Sequence, residues 1–400
     1  MMELFKIGET IIKKLNNNGF EAYFVGGCVR DFYMKKPVHD VDIATDAKPD
    51  EIKNIFQKTI DVGVEHGTII VMAENIPFEI TTYRAGGTDA GNIRQDPVLF
   101  SSRLNEDLER RDFTMNAMAM SKDMTYHDPF SGRDAIEKKV IITVGEPDDR
   151  FEEDPLRIIR AIRFMSVMKF SIEPSTEYSM IQNAHTVENV SVERIVSELK
   201  KTYSGTGLKQ AKQKLVQTHL IKYIPFLKYV NPDDYLQSVA GDFLDELIIQ
   251  SVKDVSLIKS INDLKISNAE KDFVKNSRSL FKAVTDGESP RKIAYHYHED
   301  VLIKFIKLGR GNELNLNMTA LNDALSLQPS LTIRSKKDLE INGRHLIALY
   351  NMKSGPWIKE CLNIIENEVL FERVNNNHDD IINWVKRHVE IGPESIKVIE

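Results

Sequence analysis

Cysteine and tryptophan are nearly absent, with two of each in 400 residues. The two thiols, Cys28 and Cys361, cannot build a disulfide framework or a four-thiolate zinc site, and such sparse usage fits a reducing cytoplasm. No run of about 18 apolar residues occurs, which excludes a membrane-spanning helix. The opening stretch MMELFKIGETIIKKLNNNGF is charged along its length and lacks the apolar core of a signal peptide. There is no low-complexity tract, long linker or short-period repeat. A basic balance is missing too. The 53 Lys and Arg are outnumbered by 60 Asp and Glu, for a net charge of −7. That sum weighs against a phosphate-rich partner, although it says nothing about how the charge is distributed.

What is present is ordinary globular material, 42% hydrophobic and 28% charged. The length exceeds one comfortable core and predicts about two to four domains. Residues 1–148 read as mixed α/β. A helix near Leu4 to Asn16 precedes the strand AYFVGG and a second strand, DVDIAT. GTIIVMAE and IPFEITTYR follow as a hairpin-like pair, and Val140 to Val144 as a further short strand. From Glu152 the pattern turns helical and stays so. Asp154 stands where an N-cap would, with Pro155 at the first helical position of PLRIIRAIRF.

Two stretches carry chemistry. In FVGGCVRDFYMKKPVHDVDIAT, Gly26 and Gly27 follow a strand and precede a helix, so backbone N–H groups can approach a phosphate, and Arg30 reaches the same anion. Asp40 and Asp42 flank Val41, and period-two geometry puts both carboxylates on one strand face. Such a pair holds Mg2+ together with substrate phosphates. Gly-Gly alone is more often a turn, and Asp-x-Asp alone a solvated strand. Their succession on adjacent elements favours phosphoryl transfer. In RRDFTMNAMAM, Arg111 suits a phosphate or ribose and Asp112 a sugar hydroxyl; the bland reading is a surface ion pair before an apolar helix.

GGCVRD…HDVDIAT, ERRDFTMNAMA, DPFSGRDAI and EDPLRIIRAIRF resemble, in order, the motifs of class II tRNA nucleotidyltransferases, the CCA-adding enzymes, which bacterial poly(A) polymerases share. The likeness is strong over residues 20–170 and looser through DLEINGRHLIALYNMKSGPWI. It implies an α+β fold: a small N-terminal nucleotidyltransferase head (1–148), polymerase-beta-like with a mixed β-sheet, then an all-α neck (149–206), body (207–280) and tail (281–400). It implies tRNA, CTP and ATP as partners, allows a homodimer, and casts Asp40 and Asp42 as the catalytic metal ligands. Gly27, Arg30, Arg111, Asp112, Asp154, Arg157, Arg160 and Arg163 become nucleotide-binding residues, with Glu153 in support and Glu79 as a third carboxylate near the metal.

Positions 154, 157, 160 and 163 advance three at a time, so neighbours lie close on a helix. Aspartate only accepts and arginine only donates, a pattern matching the amino group and ring nitrogen of cytosine and adenine but not uracil or guanine. Asp154 and Arg157 are therefore expected to serve as a protein template for C and A. The polar loop YRAGGTDAGNIRQDPVLF, with Arg84, Asp89, Arg94 and Asp96, matches a loop the family associates with adding the final A. Two basic clusters could track an RNA backbone: Lys200, Lys201, Lys209, Lys212 and Lys214, and Arg334, Lys336, Lys337 and Arg344. The competing readings are a poly(A) polymerase, an enzyme adding only CC or A, and a non-catalytic RNA-binding protein on the same fold.

Overall fold

A computed structural model describes residues 2–63, 67–86, 99–391 and 396–398. The chain divides into two compact units, one formed by residues 1–237 with 241–243 and 262–266, the other by 238–240, 244–261 and 267–400.

The first unit begins with α1 (Met2–Asn17), an amphipathic helix whose Phe5, Ile7, Ile11, Ile12 and Leu15 are buried. It covers β1 (Ala22–Val25), with the Phe5 and Phe24 rings meeting edge-on at 4.9 Å. After β1 come α2 (Gly27–Tyr33), β2 (Asp42–Thr45), α3 (Pro49–Ile55), β3 (Thr59–Gly63), β4 (Thr68–Ala73), β5 (Ile76–Thr82), α4 (Leu104–Glu109), β6 (Ala119–Met120) and β7 (Tyr126–His127). The seven strands form one sheet in the order β3-β4-β5-β2-β1-β6-β7. β2 and β5 run parallel while the other pairs are antiparallel, so the sheet is mixed. The β4–β5 pair is the hairpin expected from its Val, Ile and Thr content. RRDFTMNAMAM does not lead into a helix. A single 3-10 turn, Thr114–Asn116, gives way to β6, whose Ala119 pairs with Val25.

Beyond the sheet lie α5 (Gly132–Lys138), β8 (Val140–Ile141), α6 (Pro147–Glu153), α7 (Leu156–Met168), β9 (Ser171–Ile172), α8 (Pro174–Gln182), α9 (Val192–Tyr203) and α10 (Leu208–Gln217). The turn between α9 and α10 is seated directly on α7. Ser166 Oγ donates to the Thr202 carbonyl at 2.7 Å, and Gly207 N donates to the Ser166 carbonyl at 2.8 Å. A Cβ on Gly205 would fall 2.4 Å from Ser166 Oγ and 2.5 Å from its carbonyl carbon, so this position requires glycine.

The second unit is mainly helical. Its helix Asn268–Thr285 opens with a Ser267/Glu270 capping box. Leu346, Cys361, Ile365, Val369, Ile381 and Val385, from three helices, form a core near the C-terminus. The all-α expectation misses two features: β9 in the expected neck, which pairs with β8, and a short antiparallel pair of β10 (Val389–Ile391) and β11 (Ile396–Val398). Among the described residues, no helix is long and apolar enough to cross a membrane.

Candidate active site

One cavity of about 510 Å³ opens over the centre of the sheet. β2 and β5 supply its acidic wall. Their parallel register sets Asp42 directly beside Glu79, and Asp40 lies two residues ahead in the loop before β2. Asp40 is thus not on the strand as expected, but it lines the same cavity. Burial, then the neighbouring Glu79, push the Asp42 carboxyl up to about 6; Arg111 opposes the shift and Asp40 adds to it. Among the described residues, no three His, Cys, Asp or Glu side chains make a ready-formed metal cluster. The acidic wall fits a different arrangement, a divalent cation held by two carboxylates and completed by substrate phosphates. Crowded carboxylates with a raised pKa are what such a cation relieves.

The opposite wall is cationic. Arg30 from α2 donates to Asp31 at 2.9 Å and to Asn116 Oδ1 at 2.6 Å. Arg111 follows α4 and is gripped by Asp107 of that helix at 3.0 Å, while its Nε is buried with no hydrogen-bond partner among the described residues. Arg160 and Arg163 of α7 complete the wall. Between the walls lies the Gly-Gly turn. Gly27 was the expected phosphate contact, yet the geometry constrains Gly26 harder: its φ is +72°, and a Cβ there would come within 2.9 Å of Arg111 Nη1. With φ +72° and ψ −136° at this position, Gly26→Ala is expected to strain the backbone by about 1–3 kcal/mol and displace Arg111. A severalfold rise in KM for nucleotide, larger than that for Gly27→Ala, would register it. Cys28, beneath this turn, is buried with its thiol pushed up to about 12, chiefly by burial, and is chemically inert.

Asp112 lines the cavity but is already committed to the protein. Its Oδ1 accepts from Phe113 N at 2.8 Å and Asn116 Nδ2 at 2.9 Å, and its Oδ2 from Arg160 at 2.5 and 2.8 Å. Burial alone would raise its pKa, but Arg160, Asn116 and Phe113 N outweigh it and hold the carboxyl at about 2. The folded pKa lies below the ordinary aspartate value of 3.8, so the ionised form stabilises the fold. That gain, about 2 kcal/mol, is complete above pH ~4 and lost as the pH falls towards 2. Asp112→Asn should remove this acid-limb dependence from urea unfolding curves recorded between pH 2.5 and 6.

The structure does not bring Asp154 and Arg157 together or to the cavity. Both are fully buried. Asp154 follows α6 and accepts from Leu156 N at 3.1 Å, and both its oxygens take Arg194 of α9, at 2.7 and 3.3 Å. Arg157 donates to Glu153 at 2.8 Å and to the carbonyls of Arg110 and Arg150 at 2.7 and 3.2 Å. Its Nε has no partner among the described residues. Glu153 also pairs with Arg150, so it braces two arginines. The cause is the three-residue spacing. Each step turns about 60° around the helix, which carries Arg157 into the interior and leaves Arg160 and Arg163 on the cavity.

Other side chains contribute to the site beyond those the motifs single out. Asp107 precedes Arg110 and Arg111 by three and four residues, a spacing legible as ion pairing on one helix. Thr68 and Thr81 also line the cavity, as does Arg84 from the start of the polar loop, whose Nη2 donates to Thr68 at 3.1 Å. Residues 87–98 of the polar loop, including Asp89, Arg94 and Asp96, lie outside the described residues. Of the first basic cluster, Lys212 is buried over the Tyr235 ring at 4.4 Å and Lys214 pairs with Glu177 at 2.6 Å, so neither is a free charge for RNA. In the second cluster, Lys336 pairs with Glu366 at 3.0 Å.

Comparison with known proteins bears on this arrangement. Residues 22–142 match the "Poly A polymerase head domain" model, residues 169–230 the model described as "Probable RNA and SrmB- binding site of polymerase A", and residues 246–385 tRNA nucleotidyltransferase domain 2. A CCA-adding enzyme of Staphylococcus epidermidis is 39% identical, with 97% of this chain and 99% of the relative aligned. The chain belongs to the CCA-adding enzyme family. The CCA-adding enzyme of Bacillus subtilis is 37% identical, over 96% of this chain and 99% of that enzyme. Among solved structures, a Bacillus stearothermophilus CCA-adding enzyme in complex with CTP superposes with a TM-score of 0.81 at 32% identity, covering 97% of this chain and 98% of that one. As a CCA-adding enzyme by family, the chain pairs an acidic wall with an arginine wall across one cavity. Divalent-metal use is general in its family.

Proposed function

We propose that this protein adds CCA to the 3′ end of tRNA without a nucleic-acid template, consuming CTP and ATP and releasing pyrophosphate. The observation that carries the reading is the single cavity in which Asp40, Asp42 and Glu79 face Arg30, Arg111, Arg160 and Arg163. Full-length likeness to CCA-adding enzymes, one of them solved with CTP, supports it over a poly(A) polymerase. A non-catalytic RNA-binding protein would have no use for the acidic wall.

In the reaction, the tRNA 3′-hydroxyl oxygen bonds to the α-phosphorus of CTP or ATP as the bond from that phosphorus to the bridging oxygen of the β-phosphate breaks. The hydroxyl loses its proton, and pyrophosphate departs with the bonding electrons. Asp40 and Asp42 would hold Mg2+, with Glu79 beside them; a bound ion neutralises charge between carboxylates and phosphates and lowers the pKa of the attacking hydroxyl. The chain's own groups do the rest. Arg30, Arg111, Arg160 and Arg163 orient the triphosphate. The Gly26–Gly27 turn lets it approach the backbone. Asp112 and Asp107 hold Arg160 and Arg111 in reach.

Base choice would rest on Asp154 and Arg157, and it requires both to exchange their present partners. The test of the whole reading is an extension assay with magnesium, labelled CTP and ATP, and tRNA ending at the discriminator base, followed by sequencing of the 3′ ends. Ends reading CCA are expected. Long A tails, CC alone, or no extension would each overturn the reading in favour of a named competitor.

A further inference from the structure

The cationic face of α7 is backed by α9, which contributes a buried acid that the chemistry above does not use. Glu198 is 4% exposed, and its carboxylate stands 2.9 Å from Arg163 Nε and 3.9 Å from Arg160 Nη1. The nearer contact is a charge pairing without hydrogen-bond alignment, since neither Arg163 Nε nor Glu198 Oε2 has a hydrogen-bond partner among the described residues. Lys201, one turn on and half exposed, donates to Glu198 Oε1 at 3.3 Å. The two arginines are three residues apart on one helix and repel each other. Both also sit against one aromatic ring, Arg163 at 3.9 Å and Arg160 at 5.7 Å from the centre of Phe164. Arg160 has a second anchor in Asp112, whereas Arg163 pairs with Glu198. The acid is placed by backbone as well as by charge. The Ser166–Thr202 bond and the close approach of Gly205 to Ser166 fix α9 on α7 one turn beyond Glu198.

We propose that Glu198 is a positioning residue for nucleotide binding: its carboxylate holds Arg163 extended into the cavity beside Arg160, which Asp112 anchors, so that both meet the incoming nucleotide's phosphates. The inference rests on reading that cavity as the CTP and ATP site. It also competes with a simpler effect of opposite sign. A negative charge behind two arginines weakens their pull on an anion, so removing it would tighten nucleotide binding if position did not matter. The two effects therefore predict opposite changes in KM.

Steady-state kinetics of the full chain with tRNA decide between them. Glu198→Gln is expected to raise KM for both CTP and ATP about tenfold while kcat changes less than about threefold. In an Arg163→Met background the same substitution should add little, because the group it positions is gone. An unchanged or lowered KM, equal losses in kcat and kcat/KM, or fully additive effects with Arg163→Met would overturn the assignment. If Glu198→Gln does not fold, the pair Glu198→Met with Arg163→Met buries no lone charge and carries the test. Its KM should equal that of Arg163→Met alone, and a further rise would overturn the proposal. An inactive parental protein would instead sink the reading of the site, so the two failures are distinguishable.

Discussion

Asp42→Asn is expected to abolish nucleotide transfer and, at neutral pH without metal, to make the protein harder to unfold. The first effect follows from the loss of a carboxylate that would hold the cation: several kcal/mol of charge stabilisation, or about a thousandfold in rate. The second follows from linkage. The folded pKa of about 6 lies above the ordinary aspartate value of 3.8. The folded state thus binds the proton more tightly than the unfolded chain between those values, and stability falls as the pH rises from about 4 to about 6. Above pH 6 the ionised Asp42 costs up to about 3 kcal/mol, which asparagine does not incur. Thermal unfolding in EDTA at pH 4.5 and pH 7.5 measures this. The parental protein should lose more stability between the two than the variant. Magnesium should then raise the parental midpoint at pH 7.5 by binding the folded state, and leave the variant's unmoved. Equal midpoints in EDTA with equal responses to magnesium would contradict the assignment of Asp42 to the metal.

This conflict between stability and chemistry explains what was legible in the sequence. Asp40, Asp42, Gly26 and Gly27 could be found because the signal is local: two carboxylates two residues apart at the start of β2 and a turn after β1 need no tertiary knowledge, even though Asp40 proves to lie in the loop before the strand. Glu79 could only be placed weakly, since its significance comes from the parallel pairing of β2 with β5, a contact between strands 37 residues apart in register. The interior was harder still. Asp112 reads as a sugar contact in sequence, yet Phe113 N and Asn116 occupy one oxygen and Arg160, arriving from α7, the other. Arg194 and Glu198 lie four residues apart on α9, an unremarkable pair in a charged helix until α9 is packed on α7. Helical periodicity states which residues share a face, and it does not state which neighbour that face meets.

Asp154→Asn decides what the buried pair is for. In the present arrangement Asp154 is bound on both oxygens by Arg194, and Arg157 by Glu153 and two carbonyls, so a base can be read only after these bonds are exchanged. Arg157 retains one buried donor, Nε, without a partner among the described residues. A buried polar group left unpaired is costly, and a base edge is one group that could satisfy it. Asparagine keeps an acceptor for Leu156 N but turns a donor towards Arg194, for an expected loss of about 1–3 kcal/mol of stability. If Asp154 also reads the base, the same change swaps an acceptor for a donor. CTP and ATP incorporation should then fall while UTP incorporation rises, narrowing the discrimination about a hundredfold or more. Arg194→Met supplies the control. It strands the same buried carboxylate, at about 3–5 kcal/mol, but leaves Asp154 an acceptor, so selection for C and A should survive at temperatures where the variant stays folded. Competition assays with all four nucleotides, scored by sequencing the 3′ ends, separate the outcomes. A stability loss in Asp154→Asn with unaltered nucleotide choice would make Asp154 an anchor for α9 and leave selection to the cavity wall itself.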